Sequence, residues 1–330
     1  MHVAIIKLSS LGDIVQSLPV AAYLKSRGHR VTWFVDDDLR ALVDHSAFVD
    51  KVIGIPLRAW KKKRPSLKDI KNTISQIRIP HFDVAFDLQG NCKSALVMAF
   101  LKAGEKVGFG RETIAEWPAL FACHFHFNPE KNQNIRAIYM QLVQKYFADE
   151  KPFILTISTK KEREGSKKII LATGSQWINK ELHFETLQAL VQRLDTVLEI
   201  NWLFTSGSLR EKEYASLLCQ GVKRGKTLHL APLPILQSIM EESDAVLSVD
   251  SLPLHLAGLV GVPTFSFFGP SSGLKYAPGV FYQGVCPYDK SFEKRCKILR
   301  SCTTGACIKN MALDPLFKAV HAFLDPSIEP

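Results

Sequence analysis

Short continuous apolar runs alternate along this chain with stretches in which apolar residues recur every three or four positions. The first run, Val3 to Ile6, ends in Lys7. Ser9, Ser10, Leu11, Gly12 and Asp13 follow, and helical spacing then covers 15–25. A buried strand entering a small-residue turn and then a helix is the opening unit of an open α/β sheet. Further strands are expected at 31–35, 52–55 and 82–88, with helices at 39–45, 67–77 and 94–102 between and after them. The pattern restarts with strand 169–172, helix 184–194, strand 202–205, helix 210–218, strand 227–230, helix 233–241, strand 245–249, helix 254–260 and strand 264–268. Such alternation predicts a doubly wound parallel sheet in each half, with the two sheets facing across a cleft. The expected division is a first domain over 1–160, a charged linker over 161–168 and a second domain over 169–312. A terminal segment over 313–330, helical from 315 to 324, is a candidate for packing back on the first domain.

Composition narrows the class. With 46% hydrophobic and 22% charged residues the chain reads as an ordinary globular protein. Lys7 and Asp13 interrupt the first apolar run and no small-residue cleavage site follows, so no signal peptide is expected. No stretch approaches the roughly 20 apolar residues of a spanning helix, and a cytoplasmic location is expected. The formal charge of +10 calls for an anionic partner: nucleic acid, a lipid surface or a phosphorylated substrate. Nucleic acid is the weakest of these, because neither zinc-finger spacing nor an RNA-binding aromatic signature is present. The densest basic cluster runs Arg58, Ala59, Trp60, Lys61, Lys62, Lys63, Arg64. It reads either as a solvated loop or as a patch for phosphates or lipid headgroups, with Trp60 as an interfacial anchor. Seven cysteines are an odd number, which argues against a disulfide framework. The spacing of Cys286, Cys296, Cys302 and Cys307 matches no paired zinc pattern, so a structural loop is expected and no metal site.

Ligands of open α/β sheets bind beyond the carboxyl ends of the strands, which puts three turns forward. The first holds Asp13, either a helix cap or a general base. The second runs Ser248, Val249, Asp250, Ser251, Leu252, Pro253, Leu254, His255. Here a strand ends and a helix begins, with Ser251 or Asp250 as cap. Backbone N–H groups at that terminus and the Ser251 hydroxyl can hold a diphosphate, and His255 lies one turn on. The third is Thr173, Gly174, Ser175 with Lys180 beyond it, a small-residue turn and a point charge suited to phosphate. Together they suggest a nucleotide-sugar enzyme in which Asp13 deprotonates an acceptor hydroxyl in a single inverting displacement. Lys180 and helix dipoles would stabilise the leaving diphosphate, so no metal is required.

The ordered set of motifs resembles the ADP-heptose lipopolysaccharide heptosyltransferases, an inverting family of GT-B fold with two Rossmann-like domains. Lys7 to Asp13 with Leu18 and Pro19 is similar to the family's opening, whose aspartate is the proposed base. Phe82 to Gly90, continuing to Lys93, Ser94 and Ala95, is similar to its fourth-strand motif, which faces the acceptor. Asp250 to Ala257, with Phe268, Gly269, Pro270 and Ser271, resembles its donor diphosphate signature.

The resemblance implies ADP-heptose as donor substrate, no further cofactor, and donor contacts from Thr173, Gly174, Lys180, Glu211, Asp250, Ser251, Leu252, Pro253 and His255. Glu211 corresponds to a ribose-binding glutamate. Acceptor contacts are implied for Ser9, Ser10, Gly12, Arg58, Lys61, Lys62, Lys63, Gln89, Lys93 and Arg111. The basic loop looks most like the branch that adds the first heptose to the Kdo residues of lipid A, at the cytoplasmic face of the inner membrane. In that branch Gly108 to Glu112 and 128–134 fall in acceptor-facing regions. Three positions depart from it: Leu252 replaces a glycine of the donor motif, while Ala115 and Asn134 stand where basic and histidine residues occur. A later core acceptor or another nucleotide sugar is the alternative.

Overall fold

The computed structural model describes residues 1–153, 166–288, 293–299 and 301–326. The chain divides into two compact units, Met1–Leu155 and Thr156–Pro330. Most of the expected linker, 161–165, lies outside the described residues. Its last two residues already belong to the first strand of the second unit.

The first unit holds β1 (His2–Ile6), α1 (Leu11–Ser26), β2 (Arg30–Asp36), α2 (Arg40–Asp44), β3 (Lys51–Ile55), α3 (Leu57–Lys62), α4 (Leu67–Arg78), β4 (His81–Asp87), α5 (Cys92–Phe100), β5 (Lys102–Phe109), β6 (Phe125–Phe127) and α6 (Ile135–Tyr146). Its sheet is parallel throughout, in the order β3-β2-β1-β4-β5-β6. Val3 to Ile6 are fully buried, as the continuous apolar run requires for a central parallel strand covered on both faces. Ile6 pairs with Phe34 on one side and Asp87 on the other. The strand order therefore reverses between β1 and β4, and the turns after both converge there.

Among the expected elements α1 and α5 depart most from the sequence reading, which also did not anticipate α3, β5, β6 and α6. α1 begins at Leu11 rather than 15, because Ser10 and Asp13 form a capping box at its start. Residue 102 is strand, not helix: α5 ends at Phe100 and Lys102 starts β5. β5 mixes glycine and charge, and pairing with β4 rather than its own periodicity makes it a strand.

The second unit holds β7 (Lys167–Ala172), α7 (Phe184–Val197), β8 (Ile200–Ser206), α8 (Leu209–Gln220), β9 (Gly225–His229), α9 (Leu233–Glu241), β10 (Ala245–Val249), α10 (Leu252–Leu259), β11 (Thr264–Phe268), α11 (Gly273–Tyr276), β12 (Val280–Gln283), α12 (Ala306–Lys309) and α13 (Leu313–Leu324). Its parallel sheet runs β12-β11-β10-β7-β8-β9. The same reversal falls between β7 and β10. Trp202, Phe204, Phe265 and Phe267 fill the core with Leu316, Val320 and Leu324 of α13. Arg193 of α7 lies 4.0 Å above the Phe317 ring and 2.5 Å from Asp314. The terminal helix thus buries its apolar stripe in the second unit, where the sequence reading offered it to the first.

Candidate active site

In the first unit the chemistry gathers at the β1/β4 reversal. Lys7, only 4% exposed, donates to the Leu88 carbonyl at 3.0 Å and to the Tyr139 hydroxyl at 2.7 Å. Burial pushes its ammonium below the usual lysine range, against the pull of Asp13 and Asp87. Asp87 is buried as well. It accepts from the Gln89 and Gly90 N–H groups, both at 2.9 Å, and from the Ser94 hydroxyl at 2.8 Å. Burial outweighs those bonds and raises its carboxyl. Gly90 occupies the left-handed region (φ +66°), with Phe109 and Ile114 packed where a side chain would project.

The turn so shaped presents Gln89, whose carbonyl oxygen accepts from Leu8 and Ser9 N–H, each at 3.2 Å. Asp13 accepts at one oxygen from the Ser10 N–H at 3.1 Å and from the Ser10 hydroxyl at 2.7 Å. Ser9, Ser10, Gly12, Asp13 and Gln89 are therefore brought together, as the sequence reading expects. Asp13 closes the capping box of α1 from the third position of the helix, just beyond the carboxyl end of β1.

Lys93 lies exposed at the start of α5. Arg111 is exposed in the loop after β5, which Asn128, the residue after β6, holds by accepting from Glu112 N–H at 3.2 Å and Thr113 hydroxyl at 3.3 Å. Lys61, Lys62 and Lys63 are exposed at the end of α3. Arg58 stands apart from them in one respect, with its guanidinium 4.0 Å from the buried carboxylate of Asp36.

In the second unit the β7/β10 reversal carries a denser constellation. Asp250, 9% exposed, accepts from Lys180 at 2.5 Å and from the Ser271 hydroxyl at 2.5 Å, with His255 Nε2 3.3 Å from its other oxygen. Burial alone would raise this carboxyl; the His255 hydrogen bond and the Lys180 charge overcome it and hold the group well below the usual carboxylate range. Asp250 thereby anchors Lys180 beside the head of α10. Ser251 is the N-cap residue of that helix, but its hydroxyl lies 3.2 Å from that of Ser248 and caps no helix N–H. Simple side-chain capping, one of the two readings of Ser251, is therefore not what the residue does. Leu252 and Pro253 form the first turn.

Across the reversal, Thr173 and Gly174 follow β7. The Thr173 hydroxyl is buried with no protein partner, and so is that of Thr205 at the end of β8. Glu211 packs over Gly174 so closely that a Cβ there would fall 2.0 Å from its Cδ, and its carboxylate accepts from Gly207 N–H at 2.7 Å. Sequence reasoning missed the brace beneath this turn. Glu181 accepts a two-pronged bond from Arg210 at 2.5 and 2.7 Å and a third from Ser175 N–H at 2.7 Å. It also missed Ser271 as a site residue, although Ser271 closes a motif the reading singled out. Tyr139 and Glu181 carried no signal, being recognisable only by what they touch.

The tail cysteines Cys286, Cys296, Cys302 and Cys307 line one cavity of about 130 Å³ with Asn179 and Leu299. The cysteines of the described chain are unpaired, and burial pushes the Cys307 thiol up to about 11. Among the described residues no cluster of His, Cys, Asp or Glu is arranged to hold a metal ion.

Two Rossmann-like units, each with polar and charged side chains gathered at its strand-order reversal, make up the GT-B glycosyltransferase architecture. Residues 70–298 match the model of glycosyltransferase family 9 (heptosyltransferase), so the chain belongs to that family and is a glycosyltransferase. Lipopolysaccharide heptosyltransferase 1 of Campylobacter coli is 28% identical over 84% of this chain and 86% of that protein. The Escherichia coli K12 protein of the same name is 24% identical over 82% and 88%. The solved structure of E. coli heptosyltransferase WaaC with ADP-2-deoxy-2-fluoro heptose shares the fold, with a TM-score of 0.78 at 20% identity over 99% of this chain and all of that one. Among the described residues no helix is long and apolar enough to cross a membrane.

Proposed function

We propose that this enzyme transfers heptose from ADP-heptose to the Kdo region of lipid A during assembly of the lipopolysaccharide inner core, with inversion at the anomeric carbon. The observation that carries the donor half is the Lys180–Asp250–His255–Ser271 cluster at the head of α10. It places a fixed cation and a helix N-terminus beside one another, the pairing that suits a leaving diphosphate. Thr173 and Ser251 add hydroxyls, and Glu211 beside Gly174 faces the ribose. Asp13 takes the proton of the acceptor hydroxyl as its oxygen bonds to the anomeric carbon and the bond to the diphosphate breaks, releasing ADP. The positive charge of Lys180 and the helix end stabilises the departing ADP, and the step calls for no metal or further cofactor. Arg58, Lys61, Lys62, Lys63, Lys93 and Arg111 meet the carboxylates and phosphates of an acceptor held at the cytoplasmic face of the inner membrane. The named activities of the Campylobacter and Escherichia relatives support this reading.

The test is ADP release by the purified protein given ADP-heptose, with and without deacylated Kdo-lipid A. Acceptor-dependent release is expected; release only with a later core acceptor would move the enzyme to a later step. Asp13→Asn should abolish turnover and leave ADP-heptose affinity within about twofold. Surviving turnover would remove Asp13 as the base.

A further inference from the structure

One surface of the first unit takes no part in the site described above. Between β5 and β6 the chain makes a 3-10 turn, Trp117–Ala122, that packs on α5 through the buried Ala119. The turn leaves Trp117 68% exposed and Phe121 83% exposed, with their rings in edge contact at a centroid distance of 5.8 Å. Leu96 of α5, 55% exposed, belongs to the same packed pair of elements. Two large aromatic side chains held side by side in water forgo the favourable burial such rings normally gain, which marks an exposed apolar patch with a use.

This aromatic ledge is fixed in place. Glu116, the residue before it, donates its N–H to the Gly90 carbonyl at 3.0 Å and accepts from Cys92 N–H at 2.9 Å. The ledge is thereby attached to the turn after β4 that presents Gln89.

On the other side of that turn, after β3 in the same parallel sheet, lies the basic segment of α3 and the start of α4. Residues 57–71 contain seven lysines and arginines against one aspartate, a net +6 out of the chain's +10. Leu67, 86% exposed, stands within it. The strand order β3-β2-β1-β4-β5 puts the basic segment and the ledge on opposite flanks of the β1/β4 reversal, at the same carboxyl edge.

We propose that the Trp117–Phe121 ledge is a membrane-docking element: it inserts into the headgroup region of an anionic bilayer, to which the 57–71 segment is drawn by charge, so that the β1/β4 site is held against the lipid surface. Tryptophan favours this interfacial layer, where its ring is half dry and half wet. Basic side chains near an anionic leaflet are drawn to it by charge, each adding to the attraction. The charge and the aromatic pair together match a lipid surface better than a protein partner, which would have to be strongly acidic and apolar at once. The proposal extends the lipid-linked acceptor reading but is tested apart from it.

The experiment uses the full chain and vesicles of phosphatidylcholine, with and without about 30% phosphatidylglycerol. Sedimentation should show binding that needs the anionic lipid. Trp117→Ser with Phe121→Ser should weaken it about tenfold or more, leaving the thermal midpoint and ADP release with a deacylated, water-soluble acceptor unchanged. In a Trp60→Phe background, which removes the tryptophan of the basic segment, brominated lipid should quench the tryptophan fluorescence, and Trp117→Phe should remove most of that quenching. Equal vesicle affinity of wild type and double variant overturns the proposal, as does quenching that persists without Trp117. Loss of ADP release in every form of the protein would instead count against the reaction, leaving the vesicle result to stand by itself.

Discussion

Replacing Asp250 by asparagine removes one charge and almost no volume, which makes it a sharp probe of the second unit. The carboxylate is nearly buried and holds Lys180 at 2.5 Å, with Lys180's side chain itself only 14% exposed. Breaking one partner of a buried pair costs about 3–5 kcal/mol, because the other charge stays behind uncompensated. Lys180 lies near the rim and can turn partly to water, so the lower end, about 3 kcal/mol, is expected. For a unit of about 175 residues, each kcal/mol shifts the midpoint by roughly 2–4 °C. Calorimetry should therefore find the second unit's transition about 6–12 °C lower in Asp250→Asn. ADP should recover more of that loss than it adds to the wild type, because its diphosphate meets an unpaired lysine. Lys180→Met combined with Asp250→Asn should be milder than the sum of the single changes by about 1–3 kcal/mol. A midpoint within about 2 °C of wild type, or simple additivity, would refute the account of Asp250 as the anchor of Lys180.

The same pair sets a pH dependence. Asp250's carboxyl is depressed in the folded protein, so its stabilisation is complete above the unfolded value near pH 4 and is lost as pH falls below it. Urea unfolding between pH 5 and 3 should show a steep acid limb that Asp250→Asn flattens; identical limbs would contradict the shift. Gly174→Ala should destabilise the second unit by about 1–3 kcal/mol, because the new methyl meets Glu211 at van der Waals overlap. Adding Glu211→Ala should relieve the loss, and a stable Gly174→Ala protein would show that the turn is looser than described. Finally, ADP release should persist in excess chelator, and its loss there would require a divalent ion in the reaction.

What the sequence by itself determined is local and periodic. The run Val3–Ile6 had to be a central strand, because four consecutive apolar residues can be satisfied only by cover on both faces. The turns after β1, β7 and β10 were legible because small and polar residues interrupt such runs, and these turns and the helix start beyond the first held Asp13, Thr173, Gly174, Asp250 and Ser251. Tertiary structure decided what has no local signature. Lys102 to Phe109 became a strand through its pairing with β4, and the last helix found its place through Leu316, Val320 and Leu324 against the second unit's sheet. Lys7 meets Tyr139 across 132 positions, and Lys180 meets Asp250 across 70. A buried charge can be recognised from sequence by its type, but its partner is chosen by the path of the chain, and in this protein that choice sets the electrostatics of both sites.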